Sequence, residues 1–300
     1  MSISHYIKDI GRGRDGAREL DRAQAADLMG QILDGHVSDL ELGAFCIAMR
    51  IKGETDQEMA GFIDATHARL QHLHATTPVV VLPSYNGARK LPVLTPLLAH
   101  LLAREGLAVV MHGTPTESAR VTSQDVLAEM GIQALSQPQA VNAGDVVFAP
   151  TEVLCPGLKR LLDVRRVVGL RNPAHSLVKL MNPTSASDAL LVSSYTHPEY
   201  AISMAATFEL TGARALLLRG TEGEVVADAR RTPQMNAFVR GTRTPLVEAQ
   251  AGSLVHLPEL PTQIDAVTTA RYTQAVLKGK LPVPAPLATQ VQAVLKALSL

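Results

Sequence analysis

The spacing of apolar residues changes character near residue 75, and that change limits the folds open to this 300-residue chain. Before it, apolar positions recur at helical spacing: Ala25, Leu28, Met29 and Ile32 follow Asp21, and Gly35 stands where a left-handed C-terminal cap is expected. Ser38 with Glu41, and Thr55 with Glu58, are capping-box patterns, in which a hydroxyl and a carboxylate satisfy orphan amides at a helix start. Gly53 separates those two helices. Beyond His74-Ala75-Thr76-Thr77-Pro78, short apolar runs at 79–82, 108–111, 146–148, 190–193, 215–218 and 254–256 alternate with helical stretches near 92–104, 122–130, 156–164, 198–211 and 286–298. Unbroken runs of that length suit strands buried on both faces of a mostly parallel sheet. The expected class is α/β, with a small all-helical N-terminal domain at 1–75 and a larger α/β domain at 76–300 around a mostly parallel central sheet. Pro282-Val283-Pro284-Ala285-Pro286 reads as a stiff elbow before a terminal helix.

A composition of 46% hydrophobic and 19% charged residues excludes a disordered chain, and no apolar run reaches membrane-spanning length. The first residues lack a basic, then apolar, then small-residue leader pattern, so the expected location is the cytoplasm, with no membrane partner. Cys46 and Cys155 share no ligand-like or redox spacing and read as buried thiols. Aromatics at 3% and no Trp argue against a base-stacking platform.

Net charge is zero, with 28 basic against 28 acidic side chains, yet the distribution is uneven. Residues 1–75 hold 8 basic and 12 acidic side chains, whereas 76–300 hold 20 and 16. Lys159, Arg160, Arg165, Arg166, Arg171 and Lys179 lie close together against Asp163 alone, and four bases and no acid follow Asp265. Such clusters suit a phosphate-bearing partner, while the plain reading of a charge run is a solvated face.

Open α/β sheets place ligands at the carboxyl ends of their strands. The first such loop reads Pro83-Ser84-Tyr85-Asn86-Gly87-Ala88-Arg89-Lys90. A phosphate cradle there needs free amides, and with one glycine and an amide-less proline it reads as a poor cradle unless Ser84, Asn86 and Lys90 supply donors. The second strand ends in His112-Gly113-Thr114, able to present an imidazole and an amide, and Thr122 or Ser123 is placed to cap the next helix. A lone His is also commonly structural.

These two loops behind a helical N-terminal unit resemble anthranilate phosphoribosyltransferase, of glycosyltransferase family 3 and the nucleoside phosphorylase and phosphoribosyltransferase fold, over nearly the whole chain. Where the family reads GTGGD, KHGNR, ADVLEALG, LGIRT and GPLTNP, this chain has Ser84 to Gly87, Met111 to Pro115, Gln124 to Gly131, Val168 to Asn172 and Leu180 to Pro183. The frame is kept and much of the chemistry is replaced: Met111 stands for the Lys, Thr114 and Pro115 for the Asn and Arg. The family's adjacent Asp-Glu pair, which holds magnesium, corresponds to Glu222-Gly223-Glu224, where the acids are no longer neighbours. Sharing one face of an extended segment, Glu222 and Glu224 would hold a hydrated Mg²⁺; a solvent-exposed turn is the plain alternative. Arg171 stands where the family contacts the carboxylate of anthranilate.

The opening run from Ile7 to Arg18, the replaced loops, and the segments Arg171 to Ser176 and Arg219 to Glu224 are more specifically similar to a paralogous group described as DNA-binding. That resemblance implies a homodimer joined through the helical domain, sequence-nonspecific nucleic-acid binding, no tryptophan-pathway activity and no cofactor. The residues that would contact nucleic acid are Lys8, Arg12, Arg14, Arg18, Lys159, Arg160, Arg165, Arg166, Arg171 and Lys179. The alternative is a phosphoribosyl transferase acting on an unidentified acceptor. Its phosphate and substrate groups would be Ser84, Asn86, Gly87, Lys90, His112, Gly113, Ser123 and Arg171, with Mg²⁺ on Glu222 and Glu224. A partner protein bound through an exposed apolar stretch is not legible, because no such stretch stands out.

Overall fold

The computed structural model describes residues 2–300 apart from 14, 77, 253, 255 and 256. In chain order its elements are α1 (Ser4–Ile10), α2 (Arg22–Leu33), α3 (Asp39–Lys52), α4 (Asp56–His67), β1 (Val79–Pro83), α5 (Thr95–Arg104), β2 (Ala108–Gly113), α6 (Ser123–Glu129), β3 (Val146–Pro150), α7 (Thr151–Leu154), α8 (Pro156–Val168), α9 (Ala174–Leu177), β4 (Leu190–Tyr195), α10 (Pro198–Thr211), β5 (Ala215–Arg219), β6 (Met235–Val239), β7 (Thr242–Val247), α11 (Ala266–Leu277) and α12 (Ala285–Leu298). The two expected capping boxes form, and Asp21 with Gln24 adds a third at the start of α2. Both cysteines are buried free thiols. No helix among the described residues is long and apolar enough to cross a membrane.

The chain divides into two compact units, Met1–Gln71 with Thr151–Pro183, and His72–Pro150 with Thr184–Leu300. The expected single cut at 75/76 therefore misses a returning segment: α7, α8 and α9 belong to the helical unit. Within that unit, α2 packs on α4 and on α8, and Arg160 of α8 donates to the Leu33 carbonyl at the end of α2 (2.8 Å). A cation at a helix C-terminus satisfies an orphan carbonyl and opposes the helix dipole. The returning segment also cancels the charge imbalance. Residues 1–71 carry 8 basic and 12 acidic side chains and 151–183 carry 6 and 2, so the unit is neutral rather than acidic.

The second unit holds a seven-stranded sheet of order β3-β2-β1-β4-β5-β6-β7, parallel from β3 through β5 and antiparallel at β6 and β7. The five parallel strands fall at expected runs, and their buried faces explain the absence of polar alternation. Leu97, Leu98 and Leu102 of α5 and Leu287, Val291 and Val294 of α12 cover one sheet face at Val80, Leu82, Val109, Met111, Val192 and Leu216. On the other face Phe208 of α10 meets Phe238 of β6, ring centroids 5.4 Å apart. The β6–β7 hairpin turns on Arg240 and Gly241, both at positive φ (50° and 80°), as a two-residue turn of the type that matches strand twist requires. The expected strand at 254–256 rests on Val255 and His256, which lie outside the described residues.

Candidate functional site

The strand order reverses beside β1: the chain runs outward through β2 and β3, then returns to place β4 on the other side of β1. Loops at this point, at the carboxyl ends of β1, β2 and β4, frame the customary ligand crevice of an open α/β sheet. Pro83 of β1 is in register with His112 of β2, and the Ser84 amide donates to the His112 carbonyl at 2.7 Å. Gly113 is required for that closeness, since a Cβ there would stand 2.8 Å from Tyr85 Cβ and against the Ser84 backbone. Ser84 Oγ shares a 2.7 Å hydrogen bond with Ser123 Oγ, while Thr122 supplies the cap of α6 together with Asp125.

Into this crevice the β5–β6 connection inserts two carboxylates. Glu224, 1% exposed, accepts from the Asn86 amide (3.0 Å), the Gly87 amide (2.8 Å), Thr95 Oγ1 (3.0 Å) and Ser84 Oγ. Gly87 reaches that position at φ 66°, a backbone conformation that costs a side-chain-bearing residue more than glycine. Glu222 accepts from the amides of Lys90 (2.9 Å), Leu91 (3.0 Å) and Arg89 (3.3 Å), and its main-chain carbonyl accepts from Asn86 Nδ2. Arg120 stands 3.8 Å from Glu222 and donates to the Gly87 carbonyl at 3.2 Å. Ser194 Oγ of β4 donates to the Gly223 carbonyl (3.1 Å), holding the turn from the neighbouring strand.

Several sequence expectations are corrected here. The loop after β1 is a good anion cradle, because the amides of residues 86, 87, 89, 90 and 91 converge on carboxylates even though Pro83 has none to offer. Lys90 contributes its amide and leaves its side chain exposed. Glu222 and Glu224 are neither on an extended segment nor on a solvent-exposed turn: Glu222 sits at φ 53° and Glu224 is buried. Their oxygens are taken by amides and hydroxyls, so the pair does not fit a Mg²⁺ site, and no cluster of three or more metal-ligating side chains occurs among the described residues. His112 is completely buried with neither ring nitrogen hydrogen-bonded among the described residues, and burial pushes its pKa down to about 3, so it is a neutral imidazole at neutral pH. Arg171 belongs to the helical unit, whereas Ser84, Asn86, Gly87, Lys90, His112, Gly113 and Ser123 belong to the α/β unit. Thr95 was not a sequence candidate. Its place before Pro96 at a helix start signals only a helix opening.

The described basic candidates for nucleic acid, scattered between residues 8 and 179, belong to the helical unit. Lys8, Arg12, Arg18, Arg160 and Arg166 are exposed, and Lys159, Arg165, Arg171 and Lys179 half-buried, while Arg14 lies outside the described residues. Asp9 is 3.5 Å from Arg12 and 3.9 Å from Arg18; Asp163 pairs with Lys159 and lies 3.6 Å from Arg166. Val167 and Leu170 stand exposed (89% and 45%) at the end of α8, and Leu40, Ile47 and Ile51 (84%, 37% and 58%) line one exposed stripe of α3. That stripe is the apolar stretch the sequence did not reveal.

Residues 4–69 match the helical bundle domain of the glycosyl transferase family. The chain is 42% identical to the uncharacterized protein YbiB of Escherichia coli K12, covering 99% of this chain and 94% of that one. It is 30% identical to anthranilate phosphoribosyltransferase of Chloroflexus aurantiacus J-10-fl over 88% of this chain and 80% of the relative. Among solved structures, anthranilate phosphoribosyltransferase from Thermus thermophilus superimposes with a TM-score of 0.72 at 23% identity, covering 95% of this chain and 85% of the other. The enzyme from Saccharomyces cerevisiae in complex with PRPP and Mg gives a TM-score of 0.71 at 15% identity, covering 99% of this chain and 88% of the other.

Proposed function

The chain belongs to the anthranilate phosphoribosyltransferase-like family, and from that premise we propose that it binds nucleic acid without sequence preference, as a homodimer on a scaffold that has given up phosphoribosyl transfer. The observation that carries this reading is that the described basic candidates, from both ends of the stretch 8–179, fall in one unit. Lys8, Arg12 and Arg18 near the start of the chain share it with Arg160, Arg165, Arg166, Arg171 and Lys179. Contacts from such residues to backbone phosphates position a protein on nucleic acid without reading bases. Because the unit is neutral overall, binding is local, confined to the faces that carry these side chains. The apolar stripe Leu40, Ile47 and Ile51 on α3 is the surface offered for self-association, and a dimer presents each basic cluster twice.

Two features favour the loss of transfer activity. The amides of residues 86, 87 and 90 are already engaged by Glu224 and Glu222, and carboxylates surrounded by such donors do not suit a Mg²⁺ ligand pair. The alternative, transfer from phosphoribosyl pyrophosphate with Mg²⁺ to an unidentified acceptor, is supported by the family membership alone.

Fluorescence anisotropy with single- and double-stranded oligonucleotides at several salt concentrations tests the binding reading. The expected result is an affinity that falls with salt at a logarithmic slope of about −0.9 per phosphate neutralised on duplex DNA. Absence of binding at low salt, or a salt-independent signal, overturns it. Calorimetry with phosphoribosyl pyrophosphate and Mg²⁺ tests the alternative, which predicts heat at millimolar ligand or below.

A further inference from the structure

We propose that the α/β unit carries a small-molecule site apart from the crevice at the strand ends: a cavity of about 570 Å³ between the base of the β6–β7 hairpin and the α11–α12 connection, which takes an uncharged ring compound with one hydrogen-bonding group. That volume is of the size that holds a small molecule, and such sites are mostly apolar with a few placed polar groups. None of the crevice residues 84–91, 112, 113, 123, 222 or 224 lines it. One wall is the hairpin base. There the Gln250 amide donates to the Thr232 carbonyl (2.9 Å), Gln250 Oε1 accepts from the Thr232 amide (3.2 Å) and Arg231 donates to the Gly252 carbonyl (2.9 Å). These bonds carry the pairing past the ends of β6 and β7 and hold Thr232 and Gln250 at the cavity. The facing wall is the proline-rich elbow, entered at Gly279 (φ 71°) after α11 and closed where the Pro284 carbonyl accepts from the Leu287 and Ala288 amides (2.9 and 3.1 Å) at the start of α12. Proline rings lock φ, so this wall is set before a ligand arrives and loses little freedom on binding.

The lining sets the class of ligand. Leu281, Pro282, Val283 and Pro284 give the elbow an apolar surface, and Leu257 and Pro258 add to it. Tyr272 of α11 also lines the cavity and is only 8% exposed. Its hydroxyl has no hydrogen-bond partner among the described residues, and burial alone raises its pKa. A phenol so placed is costly until something bonds to it, and a carbonyl or amide brought in by a ligand does so. Charge does not recruit an anion here. Nε and Nη2 of Arg230 donate to Asp228 at 2.9 and 2.7 Å, so that cation is already neutralised, and Glu259 stands on the same cavity. A carboxylate or phosphate would leave water to meet a paired guanidinium and a like charge, a loss an uncharged compound does not incur. The cavity lies wholly within the α/β unit, so this site and nucleic-acid binding by the helical unit stand or fall separately.

The test titrates the full chain by saturation-transfer NMR with 1-naphthamide as the uncharged probe and 1-naphthoate, the same ring with a carboxylate, as its charged counterpart. Wild type is expected to bind naphthamide saturably with a dissociation constant of about 1 mM or below, and naphthoate about 5-fold more weakly or worse. Tyr272→Phe keeps the packed ring and removes only the hydroxyl, so it retains the fold and should weaken naphthamide about 5-fold. Ala285→Trp places an indole in the cavity from an exposed lining position and should weaken it about 10-fold or more. Ile202→Ser, at a 74% exposed apolar position on α10, should change nothing. Binding that does not saturate, an affinity for naphthoate equal to or above that for naphthamide, or an affinity left unchanged by Tyr272→Phe or by Ala285→Trp overturns the inference. Loss of naphthamide binding in Ile202→Ser does so too, because it moves the probe to the open surface.

Discussion

The two charged regions of this molecule are built in opposite ways. In the α/β unit, the Glu224 carboxylate is buried among amides and hydroxyls brought from β1, its loop and α5. In the helical unit, Arg12, Arg18 and Arg166 are exposed and their acidic neighbours, Asp9 and Asp163, lie within nine residues of chain. A buried charge is committed, because loss of one partner leaves the others unsatisfied and desolvated. Exposed pairs contribute little and exchange readily, so a phosphate can take the place of the acid. The first region therefore maintains the fold, and the second is the one we propose for contact with nucleic acid.

The largest expected effect is at the committed site. Glu224→Ala strands Ser84, Thr95 and two amides, and should destabilise the protein by about 4 kcal/mol in urea unfolding. Glu224→Gln, which keeps an acceptor, should lose clearly less; equal losses would mean that the hydrogen bonds to the charged oxygens contribute nothing.

His112 sharpens the comparison as a buried titratable group whose ring nitrogens have no hydrogen-bond partner among the described residues. Its folded pKa of about 3 lies below its ordinary value of 6.5, so the unfolded chain binds the extra proton first as pH falls. Stability from this residue is complete above pH 6.5 and is lost as pH drops toward 3, about 3 kcal/mol of it by pH 4. Replacing His112 by Leu should leave stability at pH 7 nearly intact and remove that part of the acid limb, as read from urea midpoints at pH 7 and pH 4.

A smaller effect belongs to the exchangeable region. Changing Arg165, Arg166 and Arg171 together to Ala should weaken oligonucleotide binding about 10-fold at moderate salt and flatten the salt slope by about 0.9 for each phosphate no longer neutralised. Binding that is unchanged would move the interface elsewhere. Least of all, Arg22→Ala, which breaks the half-exposed pair with Asp64 at 2.6 Å, should cost about 0.5 kcal/mol. A cost several times larger would erase the distinction between buried and exposed charge drawn here.

Local signals carried much of the architecture. Ser38 and Thr55 opened helices because a capping box is complete within four residues, and the parallel strands were legible because strands covered on both faces are apolar throughout. The β6–β7 hairpin escaped for the converse reason. Its outer strand Thr242–Val247 carries Arg243 and Pro245 and is largely solvent-facing, so it has no apolar run, and Arg240 is an unusual residue for a turn position at positive φ. At the site, Ser84, Asn86, Gly87, Ser123, Glu222 and Glu224 were all named from sequence, but their relation was not. Glu224 and Asn86 stand 138 residues apart, and a carboxylate that ligands amides has the same sequence signature as one that ligands magnesium.

By itself the sequence determined the capped starts of α2, α3 and α4, the parallel strands and the family frame, since each depends on residues near one another in the chain, whereas α1, α9 and α11 were not legible. Tertiary structure alone decided that 151–183 returns to the helical unit, that the charge imbalance between the two ends of the sequence vanishes there, and that two acids read as metal ligands are the anions of a loop. Those outcomes depend on which distant donors are available when a charged group leaves water, and no local pattern records that.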